Sequence, residues 1–289
     1  MDNMIHVYNE IPVDKEVRDG YLVTEKTKKV WNTQLKLARE VDRICKKYRI
    51  KYFIIWGTLL GAVRHGGYIP WDDDFDIGFL REDYERFLKC AQFEVKDPLF
   101  LQTATSDKEF FFAYARLRDS RTTGIISYNY SPKYNSGIFI DLYPLDRITS
   151  CRALRSIQFW IRDRLEEICI SYNKSNSILT KLIDYSLLCK TYQRILQLGK
   201  GERVGMVFSK NQFNTYQFPV SYVRKTKELL FENIYFPAPF FYELLLREVY
   251  GDYLRFPPRR KRGRWHEGQI IFDPDLSYKE FYEKNNRKI

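Results

Sequence analysis

The chain has 289 residues, and its 48 Lys and Arg residues against 37 Asp and Glu residues give it a formal net charge of +11. A hydrophobic fraction of 44% with 17% aromatic residues excludes a disordered chain, because this composition can fill a core. The longest apolar stretch, residues 52–63, is shorter than the roughly 20 residues of a membrane-spanning helix, and the N-terminus lacks the apolar segment of a secretory signal. The cysteines form no CxxC pair, which favours reduced thiols. We therefore expect a soluble, cytoplasmic protein.

The first half of the chain alternates between helix and strand patterns. Residues 24–48 carry apolar side chains at helical spacing, which predicts an amphipathic helix. Residues 51–56 predict a short buried strand, and a short helix at LLGAVR begins directly after it. Residues 74–80 alternate acidic and apolar side chains, as a strand with one polar face would, and a helix is expected over 81–90. Further strands are predicted at 99–103, 110–117, 122–127 and 137–143.

Beyond residue 145 helical patterns dominate the sequence. Helices are predicted over 152–172, 179–198 and 239–250, and two short aromatic segments, 205–208 and 231–236, interrupt them. The chain therefore divides into a helical N-terminal extension (1–50), a mixed core (51–150) and a mostly helical C-terminal region packed on that core, with a basic tail (151–289). This order of elements predicts an α+β fold.

The chemically informative stretch contains two aspartates, Asp74 and Asp76, two residues apart on the predicted strand. Their carboxylates point to the same face and repel each other unless a cation lies between them. Hard oxygen ligands of this kind suit Mg²⁺, with Mn²⁺ as the alternative metal. Upstream, Gly57 and Thr58 bring backbone N–H groups and a hydroxyl to a helix N-terminus, which favours a phosphate. The combination indicates metal-assisted phosphoryl or nucleotidyl transfer.

The acidic run at residues 72–76 has two other interpretations, a solvated surface pair and a calcium-binding loop. An Asp-x-Asp pair is common on solvated surfaces and alone is weak evidence for a site. The spacing of Asp72, Asp74 and Asp76 also resembles a calcium-binding EF-hand loop, which requires Gly at its sixth position and Glu at its twelfth. Ile77 and Asp83 occupy these positions, which argues against the calcium loop.

The segment GTLLGAVRHGGYIPWDDDFDIGF resembles the signature of the LicD family, which also includes fukutin and the fukutin-related protein. Three further segments support the resemblance: ARLRDSRTTGI (115–125), GIFIDLYPLD (137–146) and YGDYL (250–254), which is followed by a histidine. It thus extends from about residue 51 to residue 266. The resemblance implies a nucleotidyltransferase fold, with a mixed β-sheet core in residues 51–150 and flanking helices.

The resemblance also implies roles for individual residues. Asp74 and Asp76 match the metal-binding pair of that superfamily, and Asp141 matches a third carboxylate on a later strand, so these three are the predicted catalytic and metal-binding residues. The residues assigned to the donor phosphates and nucleotide are Gly57, Thr58, Arg64, His65, Asp72 and Asp73. The candidates for further substrate contacts are Trp71, Arg116, Arg118 and His266, the last of which resembles a C-terminal histidine of the family.

By resemblance, the protein is a phosphotransferase that moves a phospho-alcohol such as phosphocholine from a CDP-activated donor to a sugar hydroxyl of a cell-surface glycan or its lipid-linked precursor, releasing CMP. Two alternatives stay open: a nucleotidyltransferase acting on RNA or another nucleotide acceptor, and a catalytically silent partner in polysaccharide assembly. No nucleic acid is expected as partner, because the sequence contains no recognisable RNA-binding module.

The basic tail, residues 259–264, has two interpretations of its own. It is either a solvated surface run or a segment that docks on anionic lipid near a lipid-linked acceptor. The second interpretation predicts peripheral contact with the inner face of the membrane.

Overall fold

The computed structural model describes residues 10–107, 110, 112–126, 134–174, 185–209, 216–262 and 270–286. The N-terminal half contains β1 (Glu16–Arg18), β2 (Tyr21–Val23), α1 (Glu25–Tyr48), β3 (Phe53–Ile54), α2 (Trp56–His65), β4 (Asp76–Leu80), α3 (Arg81–Glu94), β5 (Leu99–Gln102), β6 (Ala115–Asp119), β7 (Thr123–Ile126) and β8 (Ile138–Arg147). The C-terminal half contains α4 (Arg152–Lys174), α5 (Tyr185–Leu196), β9 (Arg203–Gly205), β10 (Gln217–Pro219), β11 (Thr226–Phe231), β12 (Ile234–Pro239), α6 (Tyr242–Tyr250), β13 (Ile270–Asp273) and α7 (Tyr278–Asn286).

The predicted helix over residues 24–48 is confirmed as α1, and its ends have clear causes. The Thr24 side chain accepts a hydrogen bond from the Thr27 N–H at 3.1 Å, which satisfies one of the unpaired donors of the first turn. Arg49 adopts the left-handed conformation (φ 53°) that ends the helix. Buried side chains such as Trp31 and Leu35 recur at helical spacing and pack in the main core.

The central sheet has seven strands, and β8 lies at its centre. Along β8 the partners are β4, which runs parallel to it, then β6 beside its first half and β9 beside its end, both antiparallel. The remaining strands extend the sheet: β3 pairs with β4, β5 with β6, and β10 with β9. Three two-stranded sheets lie outside it, formed by β1–β2, β11–β12 and β7–β13. The α+β fold predicted from the sequence is confirmed.

Several predicted boundaries differ from the structure. The strand predicted over 51–56 covers only Phe53–Ile54, because Trp56 already begins α2. The strand predicted from residue 74 begins at Asp76, and the one predicted over 110–117 is Ala115–Asp119. The segment 231–236 contains the turn of the β11–β12 hairpin, where Glu232 has a positive φ of 55°. The C-terminal region therefore contributes strands as well as helices. None of the helices in the described part of the chain is long and apolar enough to cross a membrane.

Candidate active site

A cleft of about 1280 Å³ opens over the start of β4 and the first turn of α2. Three groups of side chains line it, and we name them by their chemistry. The acidic wall is Asp72, Asp74, Asp76 and Asp141; the basic wall is Arg64, Arg255 and Arg262 with the rings of Trp71 and Phe256; the aromatic wall is Phe112, Tyr114, Tyr143 and Phe208.

The acidic wall gathers around Gly57. A Cβ atom placed on this glycine would lie 2.9 Å from a carboxylate oxygen of Asp72, 3.7 Å from one of Asp74 and 3.8 Å from one of Asp76. Three carboxyl groups thus border one small space that any larger residue would partly fill. The carboxyl groups of Asp72 and Asp74 also lie close enough to repel each other when both are ionised.

The turn from β3 into α2 positions this glycine. Trp56, which begins the helix, has φ 49°, a conformation that bulky residues rarely adopt and that tertiary contacts must hold in place. The backbone N–H of Gly57 donates to the Asp76 carboxylate. The Thr58 hydroxyl accepts a hydrogen bond of 2.8 Å from the Asp76 backbone N–H. The first turn of α2 is therefore tied to the first residue of β4.

Burial and mutual repulsion perturb the acidic wall. Desolvation, followed by the neighbouring Asp74 and Asp73 carboxylates, raises the pKa of Asp72 well above its usual range. Desolvation together with Asp74, Asp141 and Asp72 raises the pKa of Asp76 in the same direction. The protein thus holds together carboxyl groups that repel one another when ionised, which is a common property of functional sites.

Asp141 lies beside Asp76 because of strand register. In the parallel β4–β8 pair Asp76 is opposite Asp141, and in the antiparallel β6–β8 pair Asp141 is opposite Arg116. Arg116 Nε donates to Asp141 Oδ1 at 2.6 Å, and the Tyr143 hydroxyl donates to Asp141 Oδ2 at 3.1 Å. Asp76, Asp141 and Arg116 therefore form one row across the sheet, in which Asp141 pairs with Arg116 while Asp76 lies beside another carboxylate.

The basic wall faces the same cleft from α2 and from the segment after α6. The Arg262 guanidinium lies 5.1 Å from the Trp71 ring centroid and 5.2 Å from that of Phe256, and the Arg64 guanidinium lies 5.3 Å from Phe256. Desolvation, with Arg262 as a further contributor, lowers the pKa of Arg64. Cations placed this close to each other favour a bound anion, and guanidinium groups match phosphate oxygens in a bidentate manner.

The aromatic wall lies on the Asp141 side. The Tyr114 ring centroid is 4.9 Å from that of Tyr143 and 5.5 Å from that of Phe208, and the Tyr143 and Phe208 rings are nearly parallel at 6.1 Å. Phe112 extends the group, with its ring 5.2 Å from Tyr114. Tyr143 and Phe208 are partly exposed, whereas the Arg116 guanidinium already lies 5.6 Å from the Phe112 ring centroid and 5.5 Å from that of Tyr114.

Not every residue predicted from the sequence lines the cleft. Thr58 is buried beneath it, and His65 pairs with Asp19 through Nδ1 at 2.6 Å. Asp73 is buried beside a second cavity of about 320 Å³, and its carbonyl accepts from Gln34 at 2.8 Å. Arg118 is fully buried and donates to Gln102 and to the Gly137 carbonyl, a structural position. His266 lies outside the described residues.

Other residues of the cleft were not predicted. Arg255, Phe256 and Arg262 are nearly 200 residues from α2 in sequence, and nothing in their local pattern marks them as part of the site. Tyr114 and Phe208 were equally unmarked, since an aromatic residue beside a strand is usually a core residue. Only the family segment YGDYL, which immediately precedes Arg255, pointed toward this part of the chain.

The donor set of the acidic wall fits Mg²⁺. No three His, Cys, Asp or Glu side chains among the described residues are arranged to hold a metal ion unaided. Mg²⁺ nevertheless needs only one or two protein carboxylates, because it keeps several waters and binds substrate phosphates. Asp74 and Asp76 supply such a pair at the space bordered by Gly57, and a cation there would relieve the repulsion that raises the pKa of Asp76.

Comparison with known proteins identifies the family that this chain resembles. Residues 49–167 match the family model described as LicD/FKTN/FKRP, nucleotidyltransferase domain, a segment that contains α2, β4 and β8 and hence all four aspartates of the acidic wall. The resemblance of this chain to the LicD family is thereby confirmed.

Individual relatives cover different shares of the chain. It is 26% identical to the lipopolysaccharide cholinephosphotransferase LicD of Haemophilus influenzae over 248 residues, which are 77% of this chain and 89% of that relative. It is 53% identical to an uncharacterised protein of Rickettsia typhi over 51 residues, 16% of that protein. It is 46% identical to the human ribitol 5-phosphate transferase FKRP over 46 residues, 9% of that protein.

Proposed function

We propose that the protein is a metal-dependent phosphotransferase that moves a phospho-alcohol from a CDP-activated donor to a hydroxyl group of a lipopolysaccharide-like glycan. The observation that carries the proposal is that the acidic wall and the basic wall line the same cleft. A diphosphate placed between the walls would contact guanidinium groups on one side and metal-binding carboxylates on the other. The similarity to the cholinephosphotransferase of H. influenzae supports the same reaction.

The acidic wall would hold the metal through Asp74 and Asp76, while the Gly57 backbone N–H keeps the Asp76 carboxylate in place. When bound, Mg²⁺ would neutralise charge on the diphosphate and on the departing phosphate. Arg64, Arg255 and Arg262 would orient the diphosphate and exclude water from it.

Asp141 would act on the acceptor. Arg116 and Tyr143 fix its two oxygens, and each oxygen retains a further lone pair for a substrate proton. In the proposed step the acceptor hydroxyl gives its proton to Asp141 and forms a bond to the phosphorus distal to cytidine. The bond from that phosphorus to the bridging oxygen breaks, and CMP leaves with the bonding electron pair.

The aromatic wall supports a choline-like alcohol. A quaternary ammonium group cannot donate hydrogen bonds and is recognised by the faces of aromatic rings, as Tyr143 and Phe208 offer here. The neighbouring Arg116 charge is compensated by Asp141, and Glu166 adds a carboxylate to the lining of the cleft. A polyol such as ribitol would instead require hydrogen-bonding side chains along this wall.

Release of CMP from a panel of donors tests the proposal. We expect Mg²⁺-dependent CMP release from CDP-choline in the presence of purified lipopolysaccharide, with a lower kcat/KM for CDP-ethanolamine, CDP-glycerol and CDP-ribitol. EDTA should abolish release, and added Mg²⁺ should restore it. Lack of release from every CDP-alcohol, or release of nucleotide onto RNA instead, would contradict the proposal.

The donor preference depends on Phe208, whose ring can be removed without disturbing the carboxylates. Phe208→Ala should raise KM for CDP-choline about tenfold, because a partly desolvated cation–π contact contributes about 1–2 kcal/mol. KM for CDP-glycerol should stay unchanged. Phe208→Trp keeps an aromatic face and serves as the matched control. Equal losses for both donors would show that Phe208 only maintains packing.

A further inference from the structure

One side of α4 is apolar and exposed to solvent. Leu154, Ile157, Trp160 and Ile168 are 59%, 56%, 65% and 43% exposed, and helical spacing places them along one side of the helix. The side that faces the protein contains the buried Gln158 and Arg162 and the partly buried Phe159 and Leu165. α4 therefore has apolar residues on two sides, of which the protein core covers one.

The helix α5, which packs against α4, and the residues that follow it also carry exposed apolar side chains. Leu187 and Leu198 are 58% and 57% exposed, and Lys190 and Arg194 are exposed between them. We name the exposed residues Leu154, Ile157, Trp160, Ile168, Leu187 and Leu198 the outer apolar surface.

Basic residues surround the outer apolar surface. Residues 151–200 contain nine Lys and Arg against four Asp and Glu, a local net charge of +5 of the +11 carried by the whole chain. The exposed basic residues of α4 include Arg152 and Arg164. Exposed Leu, Ile and Trp side chains flanked by Lys and Arg are the pattern of helices that lie in the interface of an anionic membrane.

We propose that the outer apolar surface docks the protein on an anionic phospholipid bilayer, with α4 and α5 in the interface. The apolar side chains would enter the region between headgroups and acyl chains while the basic residues meet lipid phosphates. A second copy of the chain fits less well, since two surfaces of net positive charge would repel each other.

Docking through α4 would bring the bilayer near the active-site cleft. Glu166 of α4 lines the active-site cleft, and Phe159 and Leu165 pack in the same cluster as Phe208 of the aromatic wall. A bilayer bound by α4 would thus lie close to the cleft. The docking itself does not depend on the transfer chemistry and is tested without any donor.

Sedimentation with vesicles tests the docking surface. The full chain should bind phosphatidylcholine vesicles containing 30% phosphatidylglycerol, and bind pure phosphatidylcholine vesicles at least tenfold more weakly. The triple variant Leu154→Ser, Ile157→Ser, Trp160→Ser should lose at least tenfold in partitioning. A matched control, Val17→Ser, Phe93→Ser, Tyr235→Ser, changes three residues that are 68%, 70% and 63% exposed elsewhere and should bind like the wild type.

Tryptophan emission localises the contact. Trp31, Trp56 and Trp71 are buried, so in the Trp265→Phe background a blue shift on addition of anionic vesicles should come from Trp160 and disappear on further replacement by Trp160→Phe while binding persists. Three outcomes would overturn the proposal. They are absence of binding to anionic vesicles, binding lost through Arg259→Gln, Arg260→Gln, Lys261→Gln but kept by the apolar triple variant, and a dimer in light scattering that the triple variant abolishes.

Discussion

Replacing Asp76 by Asn is expected to abolish transfer and, in the same molecule, to stabilise the metal-free protein. Asp76 is buried near Asp72, Asp74 and Asp141, so its ionised form is unfavourable in the fold. Asn keeps the shape and removes the charge. We expect kcat/KM to fall by at least 10²–10³-fold, and the melting temperature in EDTA to rise by several degrees, since relief of this repulsion contributes about 1–2 kcal/mol.

The raised pKa of Asp76 also predicts how the stability of the metal-free protein changes with pH. The folded-state pKa of Asp76 is raised, so the group destabilises the fold when ionised, and lowering the pH through that pKa removes the penalty. Metal-free wild type should therefore gain stability relative to Asp76→Asn as the pH falls from neutrality toward the ordinary carboxyl range. Thermal melts in EDTA at a series of pH values measure the difference. A constant difference between the two proteins would contradict the raised pKa.

Mg²⁺ should show the complementary effect. Added to metal-free wild type, it should raise the melting temperature, because the proposed site exists in the folded protein and not in the unfolded chain. Asp74→Asn and Asp76→Asn should respond weakly. Gly57→Ala keeps every carboxylate but places a methyl group 2.9 Å from the Asp72 oxygen, and we expect it to lose the Mg²⁺ response as well. A full response in Gly57→Ala would place the metal elsewhere.

Replacement of Arg116 is expected to cause a large loss of both stability and activity. The Arg81–Asp146 pair serves as a matched comparison, because Asp146 lies on the same strand as Asp141. β8 carries two buried Asp residues, each paired with an Arg: Asp141 with Arg116 at 2.6 Å, and Asp146 with Arg81 through two bonds of 2.7 Å. Arg116→Met and Arg81→Met should each destabilise the fold by about 3–5 kcal/mol, because each leaves a buried carboxylate uncompensated. Chemical denaturation measures both.

Activity measurements should distinguish the Arg116–Asp141 pair from the Arg81–Asp146 pair. Arg81 and Asp146 lie outside the cleft, so Arg81→Met should keep wild-type kcat/KM at temperatures where it is folded. Arg116→Met should lose activity there, since Asp141 would lose the partner that fixes Oδ1. Combining Arg116→Met with Asp141→Leu should recover most of the stability and none of the activity. Equal activity of both single variants would remove Asp141 and Arg116 from the proposed mechanism.

Much of the fold and part of the site could be predicted from the sequence. Helical periodicity identified α1 to within a residue, because the helix has one buried face. The acidic alternation located β4, but the expected polar face is wrong, since consecutive residues from Asp76 to Phe79 are buried. The LicD-like segments contain the four aspartates of the acidic wall and also Asp73, which the structure places outside the cleft. The proximity of Asp76 and Asp141 follows from the pairing of β4 with β8, whereas Asp72 and Asp74 lie in the segment before β4.

The rest of the site depends on contacts between residues that are far apart in the sequence, which local sequence patterns do not predict. Thr58 was predicted to face phosphate, yet its hydroxyl holds the Asp76 N–H beneath the cleft. Arg118 looked equivalent to Arg116, but its position two residues along β6 makes it fully buried with backbone carbonyls as partners. The Arg262 contact with Trp71 joins residues nearly 200 apart, and only the folded chain shows it.

The division of the cleft between chain segments has a consequence for how such proteins diversify. The four aspartates lie within residues 49–167, whereas Phe208, Arg255 and Arg262 come from a later part of the chain. In the proposed reaction the four carboxylates would come from the matched domain, and only part of the basic and aromatic walls from the later segment. Under the proposed function, exchanging the later segment between relatives should change the contacts of Phe208, Arg255 and Arg262 with the donor while the four aspartates stay the same.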